Sequence, residues 1–208
     1  MAMRILITAG PTQEPIDPVR YIGNRSSGKM GAALASAALA RGDEVTLILG
    51  PVTAEIPNSV QRIDVQTARE MHDAVLREFP LHSLLIMAAA VADYRPKAVY
   101  SKKLSREGML SFECEPTEDI VAAAGASKRA DQRVVGFSLE NAGDIERATQ
   151  KLLRKNLDLI VYNPVETMSS ATIESALIYP DGRTENLPSR SKADFADILL
   201  QRAAALFE

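Results

Sequence analysis

Tryptophan is missing from the 208 residues, which also hold one cysteine, two histidines, and five each of tyrosine and phenylalanine. A lone Cys114 excludes an internal disulfide, and with so few histidines it argues against a Cys/His metal centre. It reads as a buried thiol in a reducing compartment. Neither sign of charge is in excess: 24 Lys and Arg stand against 27 Asp and Glu, a net charge of −3. Nothing in that balance pulls the chain toward nucleic acid or an anionic membrane. No apolar run approaches the roughly 20 residues needed to span a bilayer. No charged leader or small-residue cleavage site precedes the first strand pattern, so the expected location is the cytoplasm.

What is present is a globular composition, 46% hydrophobic and 25% charged. It has no internal repeat and no dividing linker, so residues 1–208 are expected to form a single domain. Short apolar runs alternate with helical patterns, the signature of a mostly parallel sheet with crossover helices. Strands are expected at Arg4 to Thr8, Glu44 to Leu49, Val60 to Val65, Leu84 to Ala88, Arg133 to Ser138 and Leu157 to Tyr162. Helices are expected from Gly28 to Arg41, after Thr67 (where Thr67 and Glu70 have capping-box spacing), from Asp144 to Lys155, and from about Lys192. The last has Phe195, Ile198, Leu199, Ala203 and Leu206 on one face. Arg95 to Gly108 holds five Lys or Arg and no periodicity, and is expected to be a long mobile loop. Ala171 to Leu187 alternates around Asp181-Gly182, a hairpin signal that adds an antiparallel extension to the sheet near the C-terminus. The fold class expected is a Rossmann-like α/β sheet flanked by helices.

Gly23-Asn24-Arg25-Ser26-Ser27-Gly28-Lys29-Met30 nearly matches the P-loop pattern. However, Met30 has no hydroxyl for Mg2+, and the motif starts about fifteen residues after the first strand rather than directly behind it. The dinucleotide fingerprint is also missing: Ala9-Gly10-Pro11-Thr12 follows strand one, and strand two ends at Leu49-Gly50 without an acid. There is no Tyr-x-x-x-Lys pair and no Ser-His-Asp or Cys-His constellation. The start of the helix still favours an anion, through unpaired N–H groups at Ser26, Ser27 and Gly28 and through the helix dipole. The alternative is that Ser26 or Ser27 merely caps the helix. Asp93 is expected to end a strand otherwise built of small apolar residues, at the carboxyl edge of the sheet, where α/β proteins place ligands. The alternative there is tight packing of the alanines with Asp93 in solvent.

These residues together resemble one family. Ile7-Thr8-Ala9-Gly10-Pro11-Thr12, Glu14 through Ile22, Asn24 through Gly31, and Ala89-Ala90-Val91-Ala92-Asp93-Tyr94-Arg95-Pro96 are similar to blocks of phosphopantothenate–cysteine ligase. Val134-Val135-Gly136-Phe137 with Glu140, then Lys151 and Arg154 through Asp158, continue in the same order across the whole chain. The resemblance implies a ligase of coenzyme A biosynthesis. In it, the carboxylate of 4′-phosphopantothenate attacks the α-phosphate of CTP, pyrophosphate leaves, and the amine of L-cysteine displaces CMP from the acyl-cytidylate. Such a site needs cations, a metal ion and oxyanion donors, but no activated protein nucleophile. The family is often fused behind a flavin-dependent decarboxylase; nothing here resembles that half, and no flavin is expected.

The resemblance also implies residue roles. Asn24 and Lys103 match catalytic positions, and Arg20 with Asn24 is matched to substrate binding. Met87, Ala88 and Ala89, the run Glu118, Asp119, Ile120 and Val121, and Phe137 match positions around the cytosine and ribose. Ser26, Ser27 and Gly28 match the phosphate loop, Lys103 reaches the phosphates, and Asp93 is matched to the nucleotide and to Mg2+. Lys151 and Lys155, spaced i, i+4, match further nucleotide contacts; by spacing alone they read as a solvated face. The family's lysine-rich loop is altered here to Lys103-Leu104-Ser105-Arg106, with Lys102 before it. A homodimer is implied, and its surface is expected on the apolar hairpin. The alternatives are an ATP-using form of the same ligase and a catalytically silent nucleotide-binding protein; an oxidoreductase ranks behind both.

Overall fold

The computed structural model describes residues 2–106, 108–141, 143–165 and 172–208. In chain order its first strands are β1 (Arg4–Ala9), β2 (Gln13–Pro15), β3 (Tyr21–Gly23), β4 (Glu44–Leu49), β5 (Gln61–Asp64) and β6 (Leu84–Met87). They are followed by β7 (Tyr94–Pro96), β8 (Cys114–Pro116), β9 (Arg133–Glu140), β10 (Leu159–Pro164), β11 (Thr172–Ile178) and β12 (Thr184–Ser191). The helices are α1 (Lys29–Ala40), α2 (Ala68–Glu78), α3 (Ile120–Ser127), α4 (Ile145–Arg154) and α5 (Lys192–Ala204).

Among the described residues the main sheet has eight strands in the order β12-β11-β10-β9-β6-β1-β4-β5. From β10 to β5 every neighbouring pair is parallel, while β11 and β12 join antiparallel. This is the expected Rossmann-like sheet with its C-terminal hairpin, which turns at Gly182 with φ 85°. The hairpin's expected first residue, Ala171, lies outside the described residues.

Alternation along the central strands explains the two cores. Ile5, Ile7, Leu84, Ile86, Val135 and Val161 face α1 and α5. Leu6, Leu85, Val134, Ile160 and Tyr162 face α2, α3 and α4. Both faces are covered, so these strands read as nearly unbroken apolar runs. Helix α2 begins at the expected capping box: Thr67 accepts from the Glu70 N–H, and the Glu70 carboxylate accepts from that of Thr67.

Three elements went unseen in the residue pattern. Helix α3 reads Ile-Val-Ala-Ala-Ala-Gly-Ala-Ser, without the polar face that gives a helix its period. The ribbons β2–β3 and β7–β8 have strands of three residues, too short to alternate visibly. The second ribbon corrects the expectation for Arg95 to Gly108, which is neither free nor wholly irregular (Glu107 lies outside the described residues). Arg95 and Pro96 are in β7, and Tyr100 donates its N–H to the Ile16 carbonyl. Leu104 donates to the Asp17 carboxylate, and its carbonyl accepts from Arg20. Cys114, expected to be buried, is exposed on β8.

The hairpin does not carry the exposed apolar surface expected of it. Ile173, Ala176, Leu177 and Leu187 of the hairpin are buried within the chain. Exposed apolar side chains include Tyr21, Tyr94, Val99, Met109, Leu110 and Phe112.

Gly125 of α3 sits against the C-terminal end of α4, where a methyl group would collide with the Lys155 carbonyl oxygen. Asn156, at φ 52°, closes the same contact by donating its side-chain amide to the Gly125 carbonyl at 2.7 Å. Gly125→Ala is therefore expected to lower stability by about 1–3 kcal/mol, the usual cost of overpacking. The check is a lower urea midpoint at unchanged m-value.

Candidate functional site

Strand β1 leads to α1 on one face of the sheet, while its neighbour β6 leads through the β7–β8 ribbon to α3 on the other. Divergence of adjacent parallel strands opens a crevice beyond their carboxyl ends. Backbone bonds lace its floor: Ala90 N–H donates to Gly10 at 2.8 Å, and Thr12 N–H to Ala90 at 3.3 Å. The hydroxyls of Thr8 and Thr12 accept from Ala89 and Ala92. This lacing corrects the expectation for Asp93. Strand β6 stops at Met87, and residues 88–93 form a loop tied to β1 rather than the end of a strand.

Two adjoining cavities occupy the crevice. The larger, about 620 Å3, is bounded by Met87 and Ala89 beneath, Asp119 to Val121 at the start of α3, and Phe137 of β9. Asn24, Asp93, Glu118, Lys151 and Lys155 complete the expected residues around it. The smaller, about 230 Å3, is bounded by Ser26, Ser27, Gly28 and Ala88, and shares Ala89 and Phe137 with the first. Of the expected residues, Arg20 and Lys103 line neither cavity. Arg20 is paired with the buried Asp17 at 2.7 Å, and Lys103 is exposed on the anchored loop. A buried carboxylate cannot go unpaired, and Asp17 collects its donors from this turn and the loop. Burial works against the Asp17 charge, but the N–H groups of Leu104, Val19 and Arg20 and the guanidinium hold the carboxyl below its ordinary value. The Asp17-Pro18-Val19-Arg20 turn was the available signal for this contact.

At the smaller cavity the alternatives for Ser26 and Ser27 separate. Gly28 holds the N-cap position with φ 73°, and no side chain caps α1. Ser26 only accepts a long 3.4 Å bond from the Gly28 N–H. The first-turn donors therefore point to the cavity without a side-chain acceptor.

The larger cavity is charged on both sides and internally paired. Asn24 is held over it by donating to the Val91 carbonyl at 2.8 Å. Lys155 meets Asp119 at 3.0 Å. Glu118 takes a bidentate grip from Arg95, 3.0 and 2.8 Å. Its own backbone N–H first, then that guanidinium, holds the Glu118 carboxyl below its ordinary range. Lys151 is bonded to Glu140, which is 4% exposed and also meets Ser138 at 2.7 Å and Arg147 at 3.4 Å. Burial opposes the Glu140 charge, yet Lys151, Ser138 and Arg147 outweigh it and hold the carboxyl below its ordinary value. Glu140 had drawn no role from the sequence, where it is one acid at the end of a valine-rich strand. No cluster of three or more metal-ligating side chains exists among the described residues. Asp93 lines the larger cavity as an exposed carboxylate with no ion pair among the described residues, which suits Mg2+, an ion commonly shared between one or two carboxylates and substrate phosphates. No helix among the described residues is long and apolar enough to cross a membrane.

A family model for the DNA/pantothenate metabolism flavoprotein C-terminal domain matches residues 1–206. The chain belongs to that family. Coenzyme A biosynthesis bifunctional proteins CoaBC carry this domain in curated relatives. The one from Vibrio cholerae is 44% identical over 95% of this chain and 51% of its own length. That of Escherichia coli K12 is 42% identical over 99% and 52%. A cysteine/cysteine sulfinic acid decarboxylase from an unknown prokaryotic organism is 51% identical over 78% of this chain and 46% of that protein. The chain spans about half the length of the curated relatives it matches. The crystal structure of a CoaBC C-terminal domain superposes with a TM-score of 0.84 at 39% identity, covering 98% of this chain and 95% of that one. The same fold recurs at 18% identity and TM-score 0.80 in a Cab2 mutant complexed with phosphopantothenate-cysteine.

For a family member built this way, Glu140→Gln is expected to cost about 1–2 kcal/mol at neutral pH, because Lys151 loses a charged acceptor. The folded carboxyl titrates below its ordinary value of 4.5, so its stabilisation is complete above that pH and is lost as pH falls through the lower folded value. Chemical unfolding of both proteins across acidic pH is the check, and their difference should narrow below about 4.5.

Proposed function

We propose that this domain is the phosphopantothenate–cysteine ligase of coenzyme A biosynthesis, using CTP and passing through an acyl-cytidylate. The observation that carries the reading is the joined pair of cavities at the sheet's switch point. One is sized for a nucleoside and edged by backbone; the other is rimmed by the uncapped start of α1. The CoaBC relatives support it, since this chain aligns with about half of each. The decarboxylase name of the other relative belongs to a protein of which this chain covers 46%, and no flavin is assigned here.

In this reading the base and ribose lie in the larger cavity, against Met87, Ala89, Phe137 and the start of α3. Lys151 and Lys155 exchange their carboxylate partners for nucleotide oxygens. The phosphates extend over Ser26, Ser27 and Gly28. Asp93 would hold Mg2+, which when bound offsets the phosphate charge. Asn24 stands over the cavity and donates to the oxygen of the reacting acyl phosphate. The carboxylate of 4′-phosphopantothenate supplies the electron pair that displaces pyrophosphate. The amine of cysteine then attacks the acyl carbon, CMP leaves, and an amide forms. Arg20, for the substrate's phosphate, and Lys103, for the nucleotide's, complete the set from the Asp17-anchored loop, and a homodimer joined through the exposed apolar residues around Tyr94 to Phe112 is part of the proposal.

Product analysis tests this directly. With 4′-phosphopantothenate, cysteine and Mg2+, CTP should yield CMP at least tenfold more efficiently in kcat/KM than ATP yields AMP, about 1.4 kcal/mol of discrimination by a backbone-edged base site. Equal turnover of both nucleotides would favour the ATP-using form, and no turnover with either the silent binder. Asn24→Ala should lower turnover on the order of 10²–10³-fold, as loss of an oxyanion donor does, while melting with the wild type. A fully active variant would remove Asn24 from the mechanism.

A further inference from the structure

Lys192 lines the smaller cavity, and neither the sequence pattern nor the proposed ligase chemistry employs it. It opens α5 after the Ser191 cap and projects into the smaller cavity opposite the start of α1, where Lys29 and Arg25 also line the wall. Among the described residues no carboxylate lines this cavity, and neither Lys29 nor Lys192 has an ion-pair partner. The larger cavity differs in kind, since each of its lysines is held by an acid. Burial, and then the neighbouring Lys29 ammonium, hold the Lys192 ammonium below its ordinary range. Across the same space the Asn163 side-chain oxygen is buried without a hydrogen-bond partner.

Three cations and uncapped helix donors, with no acid among the described residues that line the cavity, form a site that favours an anion. Its volume, about 230 Å3, is below the roughly 300–1,000 Å3 of pockets for drug-sized ligands. It therefore suits a phosphate group rather than a nucleoside.

We propose that Lys192 is the principal cation, from the α5 side, for the β- and γ-phosphates that the ligase reading already lays over Ser26, Ser27 and Gly28. The assignment rests on the ligase reading for the ligand's identity, and on geometry for its chemistry. The cavities meet at Ala89, Ala90 and Phe137, so a nucleotide seated in the larger one can pass its β- and γ-phosphates into the smaller. When the substrate carboxylate attacks the α-phosphorus, the α–β bond breaks and its electron pair leaves on pyrophosphate, which Lys192 already contacts. A phosphate monoester from the other substrate is the competing source of the same chemistry.

Titration calorimetry on the whole chain with inorganic pyrophosphate, CTP, CMP and 4′-phosphopantothenate separates the sources. Lys192→Met keeps the buried stem and removes the charge; it should weaken pyrophosphate and CTP about tenfold, the worth of one charged hydrogen bond, and leave CMP and 4′-phosphopantothenate within about twofold. Lys192→Arg should retain most of the CTP affinity, which a purely structural role would not require. Unchanged CTP and pyrophosphate binding in Lys192→Met overturns the proposal. A loss confined to 4′-phosphopantothenate also overturns it, by giving the cavity to the monoester. Wild-type protein that binds pyrophosphate through Lys192 yet forms no amide product leaves the site standing and removes the ligase reading. Ligase activity with an indifferent Lys192 does the reverse.

Discussion

Helix α1 lies so close on β1 that a methyl group at Gly31 would collide with the Ala9 side chain. That approach needs a glycine and a run of alanines, and it needs Gly28 in the left-handed region to turn the chain into the helix. With Gly28 at the cap position, no side chain occupies the first-turn donors. The same loop brings Asn24 across to Val91, beyond the end of β6. One packing contact thus puts an uncapped helix end and a held amide donor on the same rim of the sheet. Gly31 also lines the smaller cavity, so the packing contact and the cavity wall fall at one position.

The two cavities divide the electrostatic work. In the larger, three cation–carboxylate pairs hold long side chains in place: Arg95 with Glu118, Lys155 with Asp119, and Lys151 with Glu140. Pairs this exposed contribute little to stability, typically below about 1 kcal/mol, except where the acid is buried as Glu140 is. Their consequence is geometric, because a lysine already extended across a cavity gives up less side-chain freedom when it changes one oxygen partner for another. In the smaller cavity no carboxylate among the described residues stands against the cations, so an anion entering there would have no ion pair to break.

How much of this was legible depended on whether a residue acts through local pattern or through distant partners. Strands β1 and β4, the Thr67 capping box, the Asp181-Gly182 hairpin and the α5 stripe all follow from spacing and turn chemistry, and the structure agrees with them within a residue or two. Of the larger cavity's residues, Asp93 and the alanines before it were marked by their place at the sheet edge, the others only through resemblance; spacing alone made Lys151 and Lys155 a solvated face. Helix α3 escaped because an alanine-rich helix has no polar side to mark it. Arg20 and Leu104 are 84 residues apart, and their meeting on Asp17 depends on a tertiary contact that no local window contains. Glu140 and Lys192 escaped for the same reason: each is a single charged residue whose meaning comes from what the sheet brings opposite it.

That meeting on Asp17 also constrains Lys103. Its neighbour Leu104 is held by the buried carboxylate through its N–H and by Arg20 through its carbonyl, which fixes the backbone beside Lys103 outside both cavities. In the proposed reading, a guanidinium that leaves Asp17 for a substrate phosphate also gives up the Leu104 carbonyl, so a binding role for Arg20 bears directly on the backbone next to Lys103.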